Sequence, residues 1–363
     1  MTFLNFLIAV FTPKKPARRL VLLGLLLGVL VSACRSPSPE IPLNRYEFKS
    51  VHMGTQFTIV LYAIDPRVAS EAATAAFQRI AALEDIMSDY QADSELNLLC
   101  EKPPGIPVPL SQELFDIFSR SERISKISDG TFDITVGPYV RLWRFARKRK
   151  ILPTPAEMAT ARAAVGWQKL RVDARIRTAT LLVPGMRLDL GGIAKGYAAD
   201  QALNEMKVRG ISRALVAASG DIAVGDPPPG EQGWKIGISG WKSSDSASTL
   251  LLHNCGISTS GDVEQSIEIG GVRYSHIVSP VTGLGLTERI QVTIVAPNAT
   301  ATDGLATAVS VLGKEAGLRL VEKEPGTAAI VLVANNAGEM GAYPSKRFKL
   351  LPKVLEGAST QVR

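Results

Sequence analysis

The sequence predicts an α+β fold, with mixed or antiparallel sheets flanked by helices. Three observations lead there. Residues 266–269 and 272–275 are short strand-like runs joined by Gly270-Gly271, a two-residue hairpin signal. Amphipathic periods at 66–90 and 111–128 mark helices, the first with Ala73, Phe77, Ile80 and Met87 on one side. The strand and helix patterns interleave without the regular alternation of a doubly wound sheet.

Residues 1–33 read as a leader: Lys14, Lys15, Arg18 and Arg19 precede an apolar run at 20–31, too short for a comfortable membrane span. The run ends in Val31-Ser32-Ala33-Cys34, which resembles the bacterial lipobox, where the cysteine is acylated and becomes the mature N-terminus. An uncleaved membrane anchor is the alternative. Either way the domain is expected outside the cytoplasm, held to a membrane, with residues 34–44 as a polar linker. The leader carries four of the seven excess positive charges, and the remaining +3 is too mild to argue for nucleic acid. Hydrophobic content of 46% with 21% charged residues is that of a globular chain. Cys100 and Cys255 are the other two cysteines, and no spacing supports their pairing or a zinc site.

Taken in order, residues 48–62 alternate like a strand broken at Gly54, and a polar exit loop holding Tyr90 follows the first helix. Thr154-Pro155-Ala156-Glu157 is a capping box opening a short helix. Residues 186–190 read as a strand running into Gly191-Gly192, after which a helix carries Ala198, Ala202, Leu203 and Met206 to a stop at Gly210. Strands follow at 214–217, 234–238, 290–295 and 328–333, with a helix at 300–312 stopped by Gly313.

Three places could carry chemistry. The glycine turn at 191–192 offers helix-start N–H groups, flanked by Asp189 and Lys195, and could hold a phosphate with a metal or ring N–H. It could also be an ordinary strand–turn–helix corner, and its spacing fits neither the dinucleotide fingerprint nor the P-loop. On the helix at 300–312, Asp303 and Thr307 project side by side, oxygens suited to Mg²⁺; a solvated polar stripe is the bland reading. His276, one of three histidines, ends the hairpin before a Pro- and Gly-containing loop, where it could act as a base or be a satisfied polar residue.

Met53-Gly54-Thr55, MSDYQADSEL, GTFDITVGP, LDLGGIAKGYAAD, SGDI, TSGD, YSHI with its following Pro and Thr-Gly, and ATDGLAT occur in that order. Together they resemble the motifs of the ApbE family, the FAD:protein FMN transferases, across a domain of residues 45–352 followed by a tail at 353–363. The resemblance implies an ApbE-type fold with FAD as substrate in a cleft between subdomains, and Mg²⁺ on the pyrophosphate. It implies FMN transfer to a threonine of a partner protein, an acceptor flavoprotein subunit of a membrane redox complex, with AMP released; the leader places this on the extracytoplasmic side of a membrane, expected to be the inner one. By motif, Met53, Tyr90, Thr131, Phe132, Asp133, Asp189, Lys195 and Ile277 would contact FAD. Asp303, Thr307 and the Gly192 carbonyl would hold the metal, and His276 would be the base. Tyr90 and Phe132 offer flat surface for rings.

Departures are Ser279 where the family often has Asp, Ser219 where it has Gly, and no aromatic near Gln265. An FAD pyrophosphatase of the same fold and a non-catalytic flavin-binding lipoprotein are the rival readings. A solute-binding lipoprotein would want two similar lobes, and no repeat supports it.

Overall fold

The computed structural model describes residues 42–238, 249–261, 266–335 and 338–354; Cys34, the leader, the linker up to residue 41 and most of the expected tail lie outside them. Along the chain the strands are β1 (Asn44–His52), β2 (Thr55–Ala63), β3 (Val108–Pro109), β4 (Leu170–Asp173), β5 (Thr178–Leu181), β6 (Ala214–Ala218), β7 (Asp221–Val224), β8 (Trp234–Gly237), β9 (Thr249–Leu252), β10 (Cys255–Gly261), β11 (Ser266–Ile269), β12 (Val272–Ser275), β13 (Ile290–Ala296), β14 (Ala328–Ala334) and β15 (Met340–Pro344). The helices are α1 (Pro66–Met87), α2 (Glu95–Cys100), α3 (Gln112–Ile127), α4 (Gly137–Arg149), α5 (Pro155–Ala164), α6 (Ala194–Val208) and α7 (Ala299–Lys323).

Eight strands form the central sheet in the order β1-β2-β6-β7-β10-β13-β14-β15, every neighbour antiparallel. Alternation along the strands divides the core. Phe57, Ile59, Leu61, Val216, Val292, Ile294 and Val331 face α1, α6 and α7 in the main cluster. Val60, Val224, Val295, Ile330 and Leu332 face the other way, against Trp234 and Leu250 of the β8–β9 pair and against Phe348. Every core cluster lies within the compact unit that starts at Leu43, so this unit carries its own core. The α+β expectation is met, with an antiparallel central sheet.

Several expected elements differ. The strand expected at 48–62 is the β1–β2 hairpin, turned at Met53 and Gly54, both at positive φ (49° and 70°) as a type I′ turn requires. Residues 186–190 are extended but join no sheet: Met186, Leu188 and Leu190 are buried, and the Asp189 N–H donates to the Ile134 carbonyl at 2.8 Å. Their period of two reports one buried face, not a ladder partner. Helix α1 stops at Met87 rather than Tyr90, because Ser88 turns extended. Helix α4 was not expected from the sequence; it starts at Gly137, with Pro138 in its first turn. Gly313 does leave helical geometry (φ 76°), yet the chain resumes as helix to Lys323.

Candidate active site

The stretch from Asp189 to Asp200 makes its polar contacts largely with α7. Asp200 accepts from the N–H groups of Ala299 and Thr300, both at 2.8 Å, and from the Thr300 hydroxyl, so a side chain of α6 caps the start of α7. The Gly196 N–H donates to Asp303 Oδ2 at 3.0 Å. Any Cβ at Gly196 would lie 2.7 Å from the Ala299 carbonyl carbon and 2.9 Å from the Asp303 Cβ, so only glycine lets the helices cross this closely. A Cβ at Gly192 would lie 3.0 Å from Thr307 Oγ1 and 3.5 Å from Phe132 Cε2. The turn, Asp303 and Thr307 therefore meet at one place.

Lys195 completes it. Its Nζ lies 2.5 Å from Asp221 Oδ2 and 3.6 Å from Asp303 Oδ2, with both carboxylates buried. Burial pushes the Asp303 carboxyl up to about 7; the Asp221 charge adds to this, while Lys195 and the Gly196 N–H oppose it. Burial works against the Lys195 ammonium, but Asp221 and Asp303 outweigh it and hold the group above the ordinary lysine range. The polar side of α7 is no solvated stripe: Thr300, Asp303 and Ser310 are all buried.

A second charge group adjoins the turn. Asp189 Oδ1 accepts from the Gly191 N–H at 2.8 Å, and its Oδ2 meets Arg144 of α4 at 3.3 Å. Arg144 also pairs with Asp89 at 2.6 Å, and its guanidinium lies 4.1 Å from the centre of the Tyr90 ring, which is 78% exposed. Burial, then the nearby Asp89 charge, raises the Asp189 carboxyl above its usual range, against the Gly191 N–H and Arg144.

The remaining residues take these places. Thr131 Oγ1 donates to the Ser128 carbonyl at 2.9 Å and reaches the Ala308 carbonyl of α7 at 3.5 Å. Phe132 is 3% exposed and backs the Gly192 turn from the core, so it does not present the open ring surface expected of it. Asp133 spends its Oδ1 on the backbone and hydroxyl of Thr135, and burial raises its carboxyl. Met53 sits at the hairpin tip, at the sheet end where Ser219-Gly220 also turn, since Phe57 pairs with Ala218. His276 and Ile277 follow β12, whose Tyr274 ring packs 5.4 Å from Trp143 of α4. The helix that anchors their loop is thus the one that supplies Arg144. The helix-start amides suggested for phosphate are largely taken: the N–H groups of Ile193 and Ala194 donate to the Leu190 carbonyl, and Gly196 to Asp303.

Two of the three departures have a local account, and the third, near Gln265, lies outside the described residues. Ser219 adopts φ 57°, which explains glycine as the usual family residue there. Ser279 Oγ accepts from the N–H groups of Val281 and Thr282 at 3.3 and 3.4 Å, a turn bond that an Asp would also make.

Sequence reasoning missed two partners. Asp221 stands in SGDI, where its acid was a usable signal beside the lone lysine of the central stretch. Arg144 had none, because its helix was not foreseen.

Among the described residues no three His, Cys, Asp or Glu side chains cluster as metal ligands. One carboxylate, one hydroxyl and a glycine turn instead suit a hard cation that keeps positions for phosphate oxygens.

The antiparallel α+β frame is shared with solved flavin transferases, and the chain belongs to the ApbE family, whose model matches residues 53–331. It is 33% identical over 304 residues to the FAD:protein FMN transferase of Salmonella typhimurium, covering 82% of this chain and 86% of that one. The FAD:protein FMN transferase of Escherichia coli is 30% identical over 304 residues, with 82% and 86% covered. Among solved structures, the flavin transferase ApbE of Vibrio cholerae superposes with a TM-score of 0.76 at 28% identity, covering 85% of this chain and all of that one. The apo flavinyl transferase ApbE of Pseudomonas stutzeri gives 0.75 at 28% identity, with 86% and 98% covered.

Proposed function

We propose that this chain transfers FMN from FAD to a threonine hydroxyl of a partner flavoprotein, releasing AMP, with Mg²⁺ required. The observation that carries this is the convergence of Asp303, Thr307 and the Gly192 turn beside Lys195. Together they form a place for a cation and a pyrophosphate. A bound Mg²⁺, held by Asp303, Thr307 and the Gly192 carbonyl, would neutralise charge on the pyrophosphate.

Lys195 adds a fixed positive charge there, oriented by Asp221. Tyr90, braced by Arg144, offers an exposed ring face for an aromatic portion of FAD. His276 takes the proton from the acceptor hydroxyl as its oxygen attacks the FMN phosphorus. The bond from that phosphorus to the bridging oxygen breaks, and AMP leaves with that oxygen. Arg144 holds Asp189 at the turn and so links it to the helix that anchors the His276 loop. The acceptor belongs to the flavoprotein subunits of membrane redox complexes, and acylation of Cys34 keeps the enzyme on the extracytoplasmic face of the inner membrane.

The test is incubation of residues 42–363 with FAD, Mg²⁺ and a candidate acceptor, followed by intact mass of both proteins and AMP assay. The acceptor should gain one FMN unit per AMP released. Asp303→Ala should lower transfer at least about a hundredfold, as expected when a developing charge loses its stabilising partner, and Thr307→Ala less. Free FMN without acceptor modification would turn the reading to hydrolysis, and full activity of Asp303→Ala would place the cation elsewhere.

A further inference from the structure

Helix α4 has a second face that the flavin site does not use. From Arg141 to Lys150, six of ten residues are Arg or Lys and none is acidic. Arg141, Lys148, Arg149 and Lys150 are exposed, and Lys150 ends the helix in the left-handed conformation. Among the described residues, Arg141, Lys148 and Lys150 enter no ion pair. The closest acid in sequence, Glu157, is committed to the capping box with Thr154.

Large apolar side chains stand among these cations. Phe145 is 55% exposed, Ile151 68% and Leu152 37%, with the Arg149 guanidinium 5.7 Å from the Phe145 ring centre. Long cationic side chains reach outward while apolar ones between them seek a dry phase. Nucleic acid would satisfy the charges but offers no apolar layer for Ile151 and Leu152. A lipid surface offers both, with anionic headgroups over an acyl boundary.

We infer that this face of α4, with Ile151 and Leu152, is a docking surface for an anionic phospholipid bilayer. Charge complementarity and the exposed apolar side chains carry it, independently of the flavin reading. Docking there would lay Arg144, on the same helix, close to the bilayer, and with it the rim formed by Asp89, Tyr90 and Asp189.

The test uses residues 42–363, which carry the whole core and lack Cys34, so its result stands apart from lipidation. Sedimentation is measured with phosphatidylcholine vesicles, with and without phosphatidylglycerol. Binding is expected only with phosphatidylglycerol and should be lost at high salt. Replacing Lys148, Arg149 and Lys150 together by Gln should weaken partition about a hundredfold, at about fivefold per cation. Phe145→Ser with Ile151→Ser should weaken it about tenfold while keeping the salt dependence. Every replaced side chain is exposed, so circular dichroism and the melting temperature should not move. Equal binding to both vesicle types, or unchanged binding of both variants, overturns the proposal. So does capture of a polyglutamate-rich protein by the same face with no vesicle binding.

Discussion

Lys195 lies between two buried carboxylates, and its removal exposes what it compensates. Asp303 binds its proton more tightly folded than unfolded, about 7 against an ordinary 3.8. Its contribution therefore favours the fold below about pH 4 and is lost as pH rises through 7. Without the ammonium, Asp221 and Asp303 face each other unshielded once Asp303 ionises. Lys195→Met should therefore cost about 2 kcal/mol at pH 5, where it strips Asp221 of its 2.5 Å partner, and more at pH 8, where Asp303 also loses its counter-charge, in metal-free urea denaturation. A cost independent of pH would show that the lysine acts through packing instead. Ser219 makes the opposite case. Its left-handed backbone disfavours any side chain, so Ser219→Gly should stabilise by about 1 kcal/mol, read as a higher urea midpoint. An unchanged midpoint would mean that the hydroxyl offsets the backbone cost.

At the level of elements, the crossing of α6 and α7 decides whether the site exists. Gly196→Ala should force the helices apart at Ala299 and cost about 3 kcal/mol, with Asp303 drawn from the Gly196 N–H. Measured by urea unfolding, a loss below about 1 kcal/mol would mean the helices slide freely. Much of this was legible in advance. The double glycine, the lysine and the i, i+4 pair Asp303 and Thr307 lie on the surfaces that meet at this crossing, because so close an approach needs glycine. Two things were not legible. The helix-start amides looked available, but the Leu190 carbonyl and Asp303 claim them, a matter of tertiary placement. Phe132 looked like a ring platform but is core, since aromaticity alone does not say which side of a turn it fills.

Across the whole molecule, the strong local signals held best: the capping box at Thr154, the Gly270-Gly271 hairpin and the long apolar faces of α1 and α3 all correspond to elements. Topology was less visible. Strand β10, with Ser258, Thr259 and Ser260 in its middle, carries little apolar alternation, yet it sits between β7 and β13 with Ser258 Oγ and Thr302 Oγ1 2.7 Å apart. Its polar side is accommodated by α7, which no local pattern announces. The position of β1 has a mechanical meaning. It is the edge of the central sheet and the start of the compact unit, paired only with β2, from Asn44–Ala63 to His52–Thr55. Any load applied to the chain ahead of Leu43 falls on this strand at its free end. Antiparallel bonds lie across the strand axis and would break in succession, like a zip, rather than together. Pulled by the N-terminus in a single-molecule trap, the protein should release β1 in a first low-force step, before the main unfolding event. The seven remaining strands would keep their places, so the chain could lengthen at this end without disturbing the crossing of α6 and α7. A single rip with no earlier extension would show instead that β1 yields only with the core.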